Sequence, residues 1–578
     1  MKLIKVLLAL AVCFSVSATV SAQTLSAGET LLPNTNYADD EPAHNTRVPE
    51  PYKMLVPKLD PTAPVQLRPH SRLVLSDIED RPFFDYFGWQ TFIALVWPAD
   101  QDKRGVPDTS VTPETFLNSN QTSAQGDSVP VVWESFQTFD TVFPGNGWTQ
   151  DPPEQPEAWD TTPYQRPFPL ALTSKHPVEL DEASSSPLID QNRQYVRYSL
   201  QLNKVMYEFI RQNKWYLKGN LPKSPTQASL PPLPVDNSNP PQIISVQQPQ
   251  TNTIITQPVN GNSMEIKAAW RIMITEADSS KPWREVDDLS RYFVSEANVT
   301  DPVTGETSVQ KVGLVGLHVV VKTPQFSQGL WSTFEHVDNV KAPSGVRASF
   351  NGTGEFYPQG FSYQPKPFTP NGADPVQDEA DRTPVEVSRI YKIPETPVAT
   401  STAFPEGLST QGMNKTYQKL LEGTVWHYYL LVVTQWPTDP TSFYAKPFLY
   451  PRGFPPGTKI DASQPQSVHE AYRRADETAK RAYPRWSGLP IPQVGALNTT
   501  METYFQNPIV TTKPMEGTDP KLKVQPMETT SCMGCHYGAS DMDYSWALKL
   551  RTWPQKFNQG RLDPEDNELS LKPGNEPN

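Results

Sequence analysis

Proline constrains this chain more than any other residue. It fixes φ and removes a backbone donor, so it ends helices and stays out of central strands. The 62 prolines among 578 residues are about twice average usage. They cut the chain into short elements joined by long, stiff loops. With 37% hydrophobic residues and 14 Trp, the chain still carries enough apolar side chain to bury a core. Together these features predict an α+β, β-rich fold: an antiparallel sheet core with packed helices and long Pro-rich loops.

Local pattern divides the chain. Residues 1–22 carry Lys2 and Lys5, an apolar run over 6–16 and a small-residue site, Val20-Ser21-Ala22, and so read as a secretory signal peptide. Residues 23–80 read as an extended Pro-rich arm. The region 81–217 contains helices. Within 83–98, Phe84, Phe87, Trp89, Phe92, Ile93, Leu95 and Trp97 leave no polar face, which predicts a buried helix between Pro82 and Pro98. Residues 194–217 show helical spacing at Tyr198, Leu202, Val205 and Phe209. Residues 218–262 turn to Pro, Gln and Asn, as an insertion or linker does.

The period then becomes two, and 263–490 reads as a β-rich core. Strands are predicted over 264–272, 292–294, 313–321, 331–337 and 425–433, the last buried on both faces. An amphipathic helix is predicted over 464–482, capped by Ser463 and stopped by Pro484. Residues 491–560 hold the motif described next, and 561–578, with Asp563, Glu565 and Asp566, read as an acidic flexible tail.

The motif is Cys532-Met533-Gly534-Cys535-His536. Cys-x-x-Cys-His is the spacing that attaches a c-type haem. Two thiols three apart reach the two vinyl groups of one porphyrin, and the next residue brings an imidazole under the iron. The chain's third cysteine, Cys13, lies in the leader, so the mature protein keeps Cys only in this motif. A zinc site would want further soft ligands. A thioredoxin-like pair fits poorly with Pro526 and the polar run before the motif. A plain structural disulfide stays open as an alternative. One covalent haem c is the expected cofactor, with Cys532, Cys535 and His536 as its attachment residues and His536 as the axial iron ligand.

The sixth iron ligand is the open question. Only 42 residues follow His536, and the one Met among them, Met542, is close in sequence. A distal group is therefore expected from the preceding chain. His318 and His336 are the first candidates, as distal or second-metal ligands or as catalytic groups. If the predicted strands around them form a hairpin centred near Ser327, the two imidazoles face each other about 5 Å apart. Met501 is the next candidate, against the commoner role of a Met filling a core gap. His427 is expected to be a hydrogen-bonded core histidine, while His44, His70, His176 and His469 are expected to be solvated.

Cys532, Cys535 and His536 resemble the attachment site of c-type cytochromes. Three phrases also resemble a large group of bacterial exported monohaem proteins: Trp331 to Asn339, Asn498 to Glu502, and Ser531 to His536. That resemblance implies no particular activity. A dihaem peroxidase pattern would need two haem motifs, and this chain has one.

Leader and motif agree on an exported, periplasmic protein, because haem c is attached outside the cytoplasmic membrane. Without the two leader lysines, 48 basic residues face 63 acidic ones, a net charge of −15. That acidity argues against nucleic acid and favours a redox partner protein or a small-molecule substrate. No stretch reads as a transmembrane segment. The expected function is a monohaem electron-transfer protein or a haem-dependent oxidoreductase, peroxidase- or oxygenase-like. A haem-based sensor or ligand-binding module is the alternative.

Overall fold

The computed structural model describes residues 80–118, 128–143, 152–170, 187–221, 263–301, 304–322, 328–344, 346–350, 378–382, 392–436 and 497–502. It also describes scattered residues that include Phe326, Val385, Val387, Arg389, Cys532, His536, Ser545 and Leu548. The chain divides into two units, Met1–His44 and Asn45–Asn578, and every described residue lies in the second. The leader, almost all of the Pro-rich arm, residues 222–262, the expected helix over 464–482, the acidic cluster and Cys535 lie outside the described residues.

The elements run in the order α1 (Arg81–Val96), α2 (Pro113–Asn118), β1 (Gln137–Thr138), α3 (Phe139–Val142), β2 (Phe168–Leu170) and β3 (Arg197–Leu202). Then come α4 (Lys204–Gln212), β4 (Met264–Ile272), β5 (Val294–Thr300), β6 (Thr307–Val321), β7 (Leu330–His336), α5 (Thr410–Leu420) and β8 (Tyr429–Gln435). These eight strands join one sheet, ordered β1-β3-β4-β6-β5-β2, with β7 pairing β6 and β8, and a separate short antiparallel pair joins Phe557–Asn558 to Arg561–Leu562. The expected β-rich α+β sheet is present, and few helices accompany it. Its expected antiparallel character holds for every pair but one: β2 runs parallel to β5, so the sheet is mixed.

The centre of the sheet is β6, whose 15 residues serve three neighbours. One edge pairs β4 from Val312 to Val321. The other pairs β5 up to Gly313 and β7 from Gly316 onward. Alternation then sorts its side chains: Leu317, Val319 and Val321 enter the main apolar core, while His318 and Val320 face the other way.

Helix α1 covers the first of these faces, and all 16 of its residues are buried. Pro82 opens it, where a missing N–H costs nothing, and Pro98 follows its end. Gly88 lets it sit directly on β7 and β8: a Cβ there would lie 2.5 Å from Thr434 Oγ1 and 2.8 Å from Ser332 Oγ. Three of its buried polar side chains are tied to neighbouring elements. Asp85 accepts from the Thr410 hydroxyl and from Thr434 N, Trp89 Nε1 donates to Asn414 Oδ1 at 3.0 Å, and Gln90 Nε2 donates to Tyr417 OH at 2.8 Å. The Trp89 ring stacks on Tyr417 at 4.8 Å and meets Phe334 edge-on at 5.2 Å.

Three local readings of the sequence are corrected. The helical spacing over 194–217 resolves into β3 followed by α4. Six residue pairs with β4 hold the first half extended. Asn203 makes the break: its Oδ1 accepts from Met206 N, which caps α4, and from Met264 N at the start of β4. The strand expected from 425 begins four residues later, because Thr424 caps a 3-10 turn over Val425–Tyr428. His427 lies in that turn, half-buried, with Nδ1 donating to Gln418 O at 2.7 Å. Helix α5 fell outside every pattern read from the sequence; its few apolar anchors, Met413 and Tyr417, sit among polar residues.

Candidate functional site

The second face of the sheet, away from α1, carries the candidate site. Strand registers place its side chains in rows across β4, β6 and β7: Glu265, Val320 and Trp331; then Lys267, His318 and Thr333; then Ala269, Gly316 and Glu335. Successive rows are about 7 Å apart, two residues along a strand.

The C-terminal part of the chain meets this face row by row. In the third row, small residues leave room for the segment 497–502. An added Cβ on Gly316 would collide with Thr500 Oγ1 and lie 3.2 Å from Asn498 Oδ1. Asn498 Nδ2 donates to Thr333 Oγ1 and to Phe334 O, both at 2.9 Å, and Asn498 Oδ1 accepts from Thr500 N at 2.9 Å. Glu335, fully buried, pairs with the guanidinium of Arg389 and also accepts from Thr499 N. Met501 points into a second apolar cluster, with Tyr198, Ala269 and Val315. It fills core space there.

In the second row, His318 Nε2 lies 3.4 Å from Glu502 Oε2, an ion-pair distance rather than a close hydrogen bond. Burial alone would push the Glu502 carboxyl up. The His318 ring, Lys267 and the Asn498 N–H together hold it below the usual glutamate value.

In the first row, Cys532 is buried against Val320 and Trp331. His536, half-buried, sets its imidazole against the Trp331 indole, with ring centroids 4.2 Å apart and planes tilted by 50°. Both residues have helical backbone. Four apart, they have the spacing that puts two side chains on one helix face. Nearby, Ser545 Oγ donates to Glu265 Oε2 at 3.0 Å.

The expected His318–His336 pair is not formed. His318 faces Thr333, and Val321 faces Leu330, so the hairpin centre falls between residues 325 and 326 rather than at Ser327. Residue numbers facing each other therefore sum to 651 instead of 654. The difference is odd, and with a side-chain period of two it sends the two imidazoles to opposite faces. His336 is wholly buried beside Tyr429. Its Nε2 donates to Arg291 O at 2.8 Å, its Nδ1 accepts from Asp338 N at 3.1 Å, and its ring stacks on Tyr292 at 4.0 Å. Burial, which outweighs the nearby Asp338 charge, lowers its pKa to about 4. It is a neutral core histidine with both nitrogens committed. Among the described residues no group of three or more His, Cys, Asp or Glu side chains is arranged to hold a metal ion.

Sequence reading missed Trp331, Gly316, Asn498 and Glu502 as parts of the site. A signal was present, since the three phrases Trp331 to Asn339, Asn498 to Glu502 and Ser531 to His536 were singled out by resemblance. The structure brings described residues of all three onto one face of β6 and β7. Among the described residues no helix is long and apolar enough to cross a membrane. Neither a protein-family model, nor a curated protein, nor a solved structure matches this chain.

Proposed function

We propose that this chain is an exported, periplasmic monohaem c-type cytochrome, acting as an electron-transfer protein or a haem-dependent oxidoreductase. The observation that carries the reading is the Cys532-x-x-Cys535-His536 spacing in a chain whose remaining cysteine is Cys13 in the leader. The surroundings of the motif suit the group. A porphyrin is a flat apolar body, and Cys532 and His536 lie against an apolar and aromatic wall, Val320 and Trp331. Thiols are the groups that add to its vinyl substituents, and an imidazole is a donor its iron takes.

In this reading Cys532 and Cys535 are the covalent tethers, and His536 gives an imidazole nitrogen to the iron. When bound, the haem supplies a one-electron couple. Val320 and Trp331 exclude water from one side of the tethered residues, and exclusion of water is one of the levers a protein has on reduction potential. The length of the chain favours more than carriage. A small carrier needs about 100 residues of scaffold, and this chain is several times that. The partner is then a redox protein or a small-molecule substrate, and the acidic chain favours a basic or neutral one.

The test is the intact mass of exported protein from a host with cytochrome c maturation. One haem should be added, and Cys532→Ala or Cys535→Ala should loosen or abolish attachment; an unmodified wild-type mass refutes the reading. Optical and EPR spectra of the oxidised and reduced forms then separate the two activities. Two protein ligands on the iron indicate a carrier, and an exchangeable position indicates an enzyme or a sensor.

A further inference from the structure

We propose that Trp331 is a positioning residue for His536, its indole fixing the rotation of the imidazole that binds the iron. The inference rests on the haem reading above and adds the group that sets the geometry of its axial ligand.

The indole is the fixed member of the pair. It is 4% exposed and packs beside Val320, its partner across the β6–β7 ladder. Its Nε1 donates to Gln328 O at 3.3 Å, within the turn that joins the two strands. Gly329 in that turn has a φ of +97°, a conformation that glycine adopts without strain. A Cβ at Gly329 would sit 3.1 Å from Trp331 Nε1 and 3.1 Å from Val320 Cγ1. The turn therefore closes directly over the indole, and a larger residue would press it out of place.

The imidazole is the member being held. His536 is only half-buried, so burial by itself does not fix its ring. Turning toward the hairpin is blocked by the indole, 4.2 Å away and tilted by 50°. Ring orientation matters for an iron ligand. The plane of the imidazole relative to the porphyrin nitrogens sets the anisotropy of the iron's electronic states, and groups around a ligating His tune the metal it binds. The aromatic wall thus has a second task beyond covering Cys532.

The experiment uses the haem-loaded full chain, with loading read by intact mass. In the reduced protein, kept diamagnetic by its own sixth ligand or by added carbon monoxide, nuclear Overhauser contacts are expected between the Trp331 indole protons and the His536 ring protons. Trp331→Leu, with haem mass unchanged, should shift the EPR g-values of the oxidised form. It should also lower the reduction potential, because water admitted to the site favours the more highly charged oxidised iron. Trp331→Phe, which keeps a ring, should restore both toward wild type. Loaded wild-type protein without those contacts, or loaded Trp331→Leu with wild-type g-values and potential, overturns the inference and leaves the haem reading standing. If Trp331→Leu does not fold, the contacts in the wild type decide alone. A wild-type mass without haem overturns the haem reading itself, and this inference with it.

Discussion

On the face of the sheet under α1, contact is made by rings and methyl groups. Trp89, Phe92, Phe334 and Tyr417 interlock there, and the few polar groups serve to bolt the helix down. On the opposite face, the segment 497–502 and the residues of the Cys532 motif meet the same strands. The segment 497–502 is held by polar contacts, Asn498 with Thr333, Thr499 N with Glu335 and Glu502 with His318, whereas Cys532 and His536 rest on Val320 and Trp331. Apolar contact is nearly indifferent to orientation, so the first face suits holding the fold together. Hydrogen-bonded contact has a demanding geometry, so the second face suits setting one chain segment in one place. The candidate site lies on the face built for position.

This contrast can be broken experimentally, and the largest effect is expected from the apolar side. Trp89→Ala removes a fully buried ring and leaves Asn414 Oδ1 with one donor, Leu431 N, in place of two, at a cost of about 5 kcal/mol in global stability. Denaturant unfolding should show a lower midpoint for every probe, including those on the far face. On the polar side, Glu335→Ala strands the buried Arg389 charge and the Thr499 N–H, for about 4 kcal/mol. Replacing Glu335 and Arg389 together with apolar residues should recover much of that loss, because the stranded charge is then gone. A double variant as unstable as Glu335→Ala would show that the pair acts otherwise.

Acid sharpens the comparison, since each face has a titrating group with its own window. The folded pKa of His336, about 4, lies below its ordinary value of 6.5. The unfolded chain therefore takes up the proton first. Stability should fall as pH drops from about 6.5 to about 4 and then level off, a loss of ~3 kcal/mol at about 1.4 kcal/mol per pH unit. His336→Gln should flatten that slope in unfolding curves measured across the range. Glu502, on the other face, is also held below its ordinary value, 4.5. Its contribution is complete above that pH and is lost as pH falls through its folded value, so Glu502→Gln should change the slope only below about 4.5.

The smallest effect is the most local. Gly316→Ala puts a methyl group where Thr500 and Asn498 lie, for about 2 kcal/mol. The displaced part is the segment 497–502, not the sheet. Limited proteolysis should therefore cut near that segment sooner, while the global denaturation midpoint moves less than for Trp89→Ala. Equal shifts by both measures would mean that the two faces unfold as one unit.

Some of this was decided by the sequence alone. The apolar run between Pro82 and Pro98 could only be a buried helix, since it offers no polar face and carries its own start and stop. The alternation over 313–321 assigned Leu317, Val319 and Val321 to one face and His318 and Val320 to the other, because the period of two belongs to the extended backbone itself. The Cys532, Cys535 and His536 spacing named the chemistry to look for. Tertiary structure decided the rest. Residues 197–202 read as helical by spacing, and pairing with β4 holds them extended instead. The turn at Gly329 set the β6–β7 register three residues away from the simplest guess, and no local pattern reports how a turn closes. That shift parted His318 from His336. It also set Trp331 across from Val320, and the indole meets His536, a residue 205 positions further along the chain. Local periodicity fixes which side of a strand a residue takes; what stands opposite it is set by packing between distant segments, which a single sequence does not record.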